Sequence, residues 1–437
     1  MLITADWVVP VASPPIRDGA ILVRGAHIAA VGPAEELKRT AGDTDIQEYP
    51  GCIAMPGLVN AHTHLALSCL KGHIPPQPFT EWIKWIPIAW RALDGDDIAA
   101  SISYGASRCI MSGTTVVGDI AYGPESISIA ADAGLGGAFF WELLGVRAAA
   151  VEQKLYDADF PSDPPAMCSS RVRCGLSPHA TYTSGPDLIR ALHVRAIAQE
   201  CSFAIHLAES YAEVQLLRDG TGPLADLAAR LAHGFEAPGV SATMYLAELD
   251  ALENAVLVHC TQTHAADMPV IARRSAGAVL CPRSNAYLHN GAPPAWRLAG
   301  ARVRLALGTD SLASNDDLNL FEEARALRRL EPRFSAQRLV EMMTSEGATV
   351  LGLNNQFGTL EPGRQGDIAV YRIPPGNAPY EGLLGHAGRH TIEAVLSAGI
   401  WRVLHGAPAF SISPIERAAH LAGQKAALAI AFETRAL

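Results

Sequence analysis

CIAMPGLVNAHTH (residues 52–64) decides the fold. An apolar run crosses a Pro-Gly pair, continues through Leu58-Val59 and ends on His62-Thr63-His64. Read as one strand it is apolar on both faces, as a parallel strand covered on both sides must be. Seven more runs share this texture: TTVVGDI (114–120), GAFFWELLG (137–145), VRCGLSPHA (172–180), SFAIHLAES (202–210), AVLVHCT (255–261), GAVLCPRSN (277–285) and VRLALGTDS (303–311). Segments long enough for a helix separate most of them, the clearest being 183–199 and 212–232. Such strand–helix units predict an α/β fold, a (β/α)8 TIM-type barrel over residues 56–355. A doubly wound open sheet is the competing architecture. Polar residues decide between them. His62/His64, Asp119, Glu142, His179, His206/Glu209, His259, Arg283/Asn285 and Asp310 fall at the carboxyl ends of the runs. In a barrel those ends meet at one mouth. In an open sheet they would be strung along an edge, so the barrel is expected.

The two ends of the chain read differently. ILVRGAHIAAVG (21–32) predicts a hairpin around Arg24-Gly25-Ala26. GTLEPGRQGDIAVYRI (358–373) and TIEAVLSAGIWRVLHG (391–406) are strand-like with Gly-rich turns. Residues 1–55 and 356–410 together predict a small flanking β domain, and 411–437 a C-terminal helical tail.

Composition narrows the partners. The chain has 437 residues, a formal net charge of −10 and a pI near 5.8. No basic run stands out, which argues against nucleic acid. None of the eight cysteines is spaced as CxxC, so a cysteine zinc ribbon is not expected. Several lie in apolar runs, as small buried hydrophobes in a reducing compartment do. The start, MLITADWVVPVASPP, does not read as a signal peptide, and no apolar run is long enough to span a bilayer. A cytoplasmic protein with no membrane partner, in a homo-oligomer such as a dimer, is expected.

His62 and His64 sit at i and i+2, which point to one face of an extended strand. Two imidazoles can then grip one ion. His206 ends the fifth run and Asp310 the eighth, so His62, His64, His206 and Asp310 form the expected metal set. Three histidines and a carboxylate suit Zn²⁺, one per chain; ligand type leaves Fe²⁺ or Mn²⁺ open. Asp310 can also accept a proton from water, as ligand and base at once. Glu209 faces the same cavity three residues after His206, where a carboxyl can move protons between water and a leaving nitrogen. The competing reading is a surface glutamate opening the next helix. His259 closes the sixth run and can stabilise developing charge, against the alternative of a core histidine.

With these residues named, the chain resembles the amidohydrolase superfamily, in the branch of cytosine-, guanine- and adenosine-type deaminases and triazine hydrolases. The motifs are PGLVNAHTHL (56–65), GTTVVGDI (113–120), LSPHATYT (176–183), HLAES (206–210), LVHC (257–260), CPRSNAYL (281–288), GTDSLASNDDLNLFEE (308–323) and LEPGRQGDIAVY (360–371). The resemblance implies a barrel with a β domain from both termini and one Zn²⁺ or Fe²⁺ on the four residues above. It implies Glu209 and His259 as the proton-handling pair, and His179 as a substrate contact. The fourth run ends in His179 and offers no lysine to bridge two metals, unlike binuclear relatives. NAHTHLALS, FFWELLG and CPRSNAYLHNG look like aminofutalosine deaminases of menaquinone biosynthesis. Many relatives carry an acid after HTHL; here Ala66 follows Leu65.

The expected function is metal-dependent removal of an exocyclic amino group, as ammonia, from a small heterocyclic substrate, a purine-type nucleoside. 6-Aminodeoxyfutalosine is the leading substrate. Methylthioadenosine, S-adenosylhomocysteine, guanine and cytosine are alternatives, as is triazine hydrolysis. A barrel that keeps zinc only for structure ranks last, because Glu209 and His259 are both present. Trp82, with Phe79 and Trp85 in PPQPFTEWIKWI, is a candidate cover for a purine, or else core packing. Glu142 and Arg283 are candidate substrate contacts, or else structural ion pairs.

Overall fold

The computed structural model describes residues 1–145, 148–157, 159–164, 168–232, 235–373 and 376–436. The chain opens with strands β1 (Leu2–Val8), β2 (Ile16–Arg24), β3 (His27–Pro33) and β4 (Ile46–Pro56). It closes with β13 (Ile368–Arg372), β14 (Ile392–Ser397), β15 (Ile400–Leu404) and β16 (Ala407–Pro408). All eight form one sheet, in the order β16-β15-β14-β13-β4-β1-β2-β3. β4 and β13 pair antiparallel from Pro56↔Ile368 to Cys52↔Arg372, and that ladder joins the two ends. The expected hairpin turns at Gly25, whose φ of 57° suits glycine.

Between them runs a parallel sheet of β5 (Leu58–Thr63), β6 (Thr114–Ala121), β7 (Gly136–Leu143), β8 (Val172–Pro178), β9 (Ser202–Leu207), β10 (Ala255–His259), β11 (Gly277–Leu280) and β12 (Leu305–Leu307), paired in chain order. Alternation fixes what each face does. Phe203, Ile205 and Leu207 of β9 belong to the large core shared with the outer helices, and Ala204 belongs to the barrel lumen. The lumen is filled by Val59, Val116, Phe140, Val256, Val258 and Val279. Phe357 and Leu353 pack into the same cluster. This is a packed core, and the polar residues are left to the strand ends.

The ring closes through main chain and one side chain. Thr309 N–H and Asp310 N–H both donate to His62 O, at 3.2 and 3.1 Å. Asn60 Oδ1 accepts Thr309 N–H at 3.0 Å while Asn60 Nδ2 donates to Thr309 Oγ1 at 2.7 Å. Gly308 permits the approach, since a Cβ there would lie 2.8 Å from His62 Cβ.

The structure corrects several expected bounds. The 52–64 run is two strands in two sheets, parted at Gly57, where a Cβ would lie 2.2 Å from Thr115 Oγ1. The 277–285 run leaves the barrel at Leu280, because Pro282 starts the helix Pro282–Tyr287. Arg283 and Asn285 are therefore helical. The eighth strand is only Leu305–Leu307. The 212–232 helix breaks at Gly220, in the left-handed region at φ 75°, into Tyr211–Asp219 and Ala225–Leu231. Only Ile368–Arg372 of the 358–373 run is strand. The tail is a helix, Ile412–Ala436, against the helix Gly95–Ile110 and the turn Leu65–Leu70. Among the described residues no helix is long and apolar enough to cross a membrane.

Asn60→Leu keeps the side chain's bulk and removes both seam hydrogen bonds. Leaving buried polar groups underserved costs about 1–3 kcal/mol. The urea midpoint of the metal-free protein is expected to fall accordingly; an unchanged midpoint contradicts this role for Asn60.

Candidate metal centre and active site

Strand ends deliver the imidazoles. The β5–β6 pairing slips between Asn60 and Thr63, a bulge-like irregularity of the kind that re-aims side chains. The His62 and His64 rings lie 4.9 Å apart, edge to face. The His206 ring, inward on β9, lies 5.0 Å from His62 and 5.4 Å from His64. Asp310 follows β12, with Oδ1 3.8 Å from His62 Nε2 and 3.7 Å from His64 Nε2. The fold thus gathers the four residues of the expected set.

Three observations test whether this set suits an ion. His62 Nε2 is buried and has no hydrogen-bond partner. His206 Nδ1 faces His179 O at 2.7 Å; a carbonyl only accepts, so Nδ1 carries the proton and Nε2 keeps its lone pair. Donor atoms about 2.1 Å from one tetrahedral ion sit about 3.4 Å apart, close to the Asp310 separations. The donors fit a divalent cation. His62, His206 and His259 also offer atoms within 4.8 Å of one another, so His259 borders the centre.

Electrostatics agree. Burial lowers the basicity of His62 and His179 far below the ordinary range, and that of His64 to about 3 and His259 to about 4. Burial alone would raise Asp310; the surrounding imidazoles and the Ser284 hydroxyl outweigh it and hold Asp310 low. Ser284 Oγ and Ser314 Oγ donate to Oδ2 at 2.6 and 3.1 Å, and Ser311 N–H donates to Oδ1 at 2.7 Å. Neutral imidazoles beside one anchored carboxylate are the state a cation requires.

Beside this set, Glu209 Oε1 lies 3.8 Å from His259 Nε2 and accepts Asn290 Nδ2 at 3.1 Å. Burial, then Asp310 and Glu213, push Glu209 well above the usual carboxylate range. That shift favours its protonated form. His259 Nδ1 pairs with Asn285 Oδ1 at 3.1 Å. The Glu142 side chain is buried, with Oε1 3.9 Å from His206 Nδ1 and no hydrogen bond of its own, and burial raises it to about 8. Asp119, also raised by burial, to about 7, accepts Thr63 Oγ1 and Leu65 N–H at 2.8 and 2.9 Å, which pins the turn carrying His64.

Arg283 and Trp82 are placed differently from the expectation that they touch substrate. Arg283 Nη1 pairs with Asp317 at 2.6 Å and lies 3.7 Å from buried Glu323, so its charge holds the loop after β12. Trp82 is buried and donates Nε1–H to Ala313 O at 3.0 Å, pinning the first loop to the eighth. Aromatic contacts run from Trp82 through Phe79 and Tyr182 to the His179 ring. The sequence reading gave no role to Tyr182, Asn290, Ser284 or Glu213, although Tyr182, Asn290 and Ser284 lie inside quoted motifs. Their signal is tertiary: each is buried and polar where polarity costs.

The amidohydrolase family profile matches residues 53–402. The chain belongs to that family. A bacterial imidazolonepropionase-like composite domain matches residues 19–43, in the flanking sheet. The 5-methylthioadenosine/S-adenosylhomocysteine deaminase of Desulforudis audaxviator is 30% identical over 417 residues, covering 91% of this chain and 92% of its own. The aminodeoxyfutalosine deaminase of Deinococcus radiodurans is 32% identical over 351 residues, covering 78% and 82%. An adenosine deaminase from Xanthomonas campestris, solved with bound zinc, superposes with a TM-score of 0.83 at 24% identity, covering 97% and 98%. At that identity the likeness speaks for the barrel and its flanking sheet.

Raised carboxyls set a pH response. Above about pH 7.5 the site histidines are neutral in folded and unfolded chains, whereas Glu142, raised to about 8, holds its proton only when folded. A raised folded value means stability is lost as pH rises through it, at up to about 1.4 kcal/mol per pH unit per group. The melting temperature of the metal-free protein should fall between about pH 7.5 and 9, and Glu142→Gln should flatten the fall. A flat or rising profile contradicts these burial assignments.

Proposed function

We propose that this member of the amidohydrolase family is a zinc-dependent aminohydrolase that removes the exocyclic amino group of an adenine-bearing nucleoside as ammonia. One observation carries the reading: Glu209, buried and with its carboxyl raised by that burial, stands 3.8 Å from His259 at the edge of the His/Asp set. A barrel that holds a metal only for structure has no use for a proton donor there.

His62, His64, His206 and Asp310 would hold the zinc ion, which when bound would bring the pKa of a water near neutral. Fe²⁺ suits the same donors. Asp310, ionised and held by Ser284, Ser314 and the Ser311 amide, takes a proton from the attacking water. Glu209 gives its proton to the ring nitrogen beside the carbon that bears the amine. Asp310 passes the proton it took from water to the amine, which leaves as ammonia, and the remaining hydroxyl proton returns to Glu209 as the carbonyl forms. His259, fixed by Asn285, stabilises the oxygen at the tetrahedral carbon. Glu142 Oε1 and Tyr182 Oη, buried without protein partners, are the hydrogen-bonding groups we assign to substrate. His179 lines the same wall.

Within this class the finer reading is aminodeoxyfutalosine, supported by the 32% identity to the Deinococcus enzyme. Deamination of methylthioadenosine or S-adenosylhomocysteine is the second reading, favoured by the longer match, 91% of this chain.

Ammonia release from adenosine, methylthioadenosine, S-adenosylhomocysteine and aminodeoxyfutalosine ranks these. Turnover of at least one is expected, and turnover of none refutes the proposal. Glu209→Gln should keep zinc at the wild-type level and lower kcat by at least about 100-fold, the scale of general acid–base catalysis. Near-normal kcat would remove Glu209 from the mechanism.

A further inference from the structure

Glu213 has no exposed surface and no part in the steps above. It lies in the first turn of the helix Tyr211–Asp219, whose N-cap Ser210 accepts Glu213 N–H at 3.2 Å. In the usual reciprocal box its carboxylate would return to the N-cap amide. Here it reaches one residue farther back, where Oε2 accepts Glu209 N–H at 2.8 Å. Its other oxygen, Oε1, accepts Thr181 Oγ1–H at 2.6 Å.

These bonds join two strand ends. Thr181 lies two residues after His179, beyond β8. Glu209 follows β9 and Ala208, which is held at φ 49°, a left-handed conformation strained for a residue with a Cβ. The Glu209 backbone is thus anchored by Glu213, and its carboxyl is anchored by Asn290 at 3.1 Å. A buried acid is costly, and burial pushes Glu213 upward against the three hydrogen bonds, from Thr181 and the Glu209 and Ala208 backbone, that hold it down. An apolar side chain would fill this space without that cost but would leave the Glu209 amide free to turn.

We propose that Glu213, braced by Thr181, is a positioning residue that fixes the turn carrying Glu209 and keeps its carboxyl aligned with His259 and the metal set. It acts through Glu209 and touches no reacting atom. The inference rests on the reading of Glu209 as proton carrier. A displacement of about 1 Å at a reacting group lowers turnover about 100-fold.

Glutamine separates frame from charge. Its carbonyl can accept Glu209 N–H and its amide can donate to Thr181 Oγ1, so the frame survives and the ionisable group is lost. The test compares Glu213→Gln, Glu213→Ala, Thr181→Val and Glu209→Gln on whichever of the four nucleosides above releases ammonia fastest, reading kcat, KM, bound zinc and melting temperature. Glu213→Ala is expected to lose about 100-fold in kcat with KM and zinc content within about threefold of wild type. Glu213→Gln should restore most of kcat, and Thr181→Val should show a smaller loss of the same kind. The proposal is overturned if Glu213→Ala keeps kcat, if Glu213→Gln is as impaired as Glu213→Ala, or if the loss tracks loss of zinc. Should Glu213→Ala not fold, Thr181→Val decides alone: unchanged kcat overturns the brace. An active Glu213→Ala beside an inactive Glu209→Gln rejects only this inference, whereas an active Glu209→Gln rejects the reading beneath it.

Discussion

The carbonyl of His62 accepts the amides of both Thr309 and Asp310, where the eighth strand meets the first. Because His62 and Asp310 are also two of the four expected donors, closing the barrel brings that pair together. Two donors some 250 positions apart in sequence come within 3.8 Å because the ring shuts there. Asn60 and Gly308 serve that closure by satisfying Thr309 and by clearing space beside His62.

The centre is held in a costly state. Ala208, His259, Cys260 and Asp310 all adopt positive φ at 49, 71, 49 and 60°, at or just past strand ends. Strain of this kind runs to about 1–3 kcal/mol per residue and persists only where the surroundings over-determine it. Here the surroundings are the apolar lumen below and the serine, asparagine and glutamate partners around the rim. Burial lowers the basicity of the imidazoles, and the imidazoles together with the Ser284 hydroxyl hold Asp310 low. The same burial pushes the Glu209 and Glu142 carboxyls upward. One apolar environment thus prepares a cation site and proton donors side by side.

The chain's pattern made the architecture legible because parallel strands buried on both faces leave apolar runs, and barrel topology puts their carboxyl ends together. His62, His64, His206, Glu209, His259 and Asp310 were readable for that reason. The limits of that reading are physical. Apolar continuity across Pro56-Gly57 hides a change of sheet, since both sheets bury their strands. Arg283 looks the same in sequence whether it meets a ligand or, as here, Asp317 and Glu323. Trp82 is likewise ambiguous until its indole N–H is seen bound to Ala313 O. Glu213 carries no local sign of its task, because the amide and hydroxyl it holds belong to two different loops.

X-ray absorption of the zinc-loaded protein tests the central claim most directly. A centre built from His62, His64, His206 and Asp310 gives nitrogen and oxygen scatterers at about 2.0–2.2 Å with imidazole outer shells. Sulfur at about 2.3 Å, from any of the eight cysteines, would place the metal elsewhere and contradict the account.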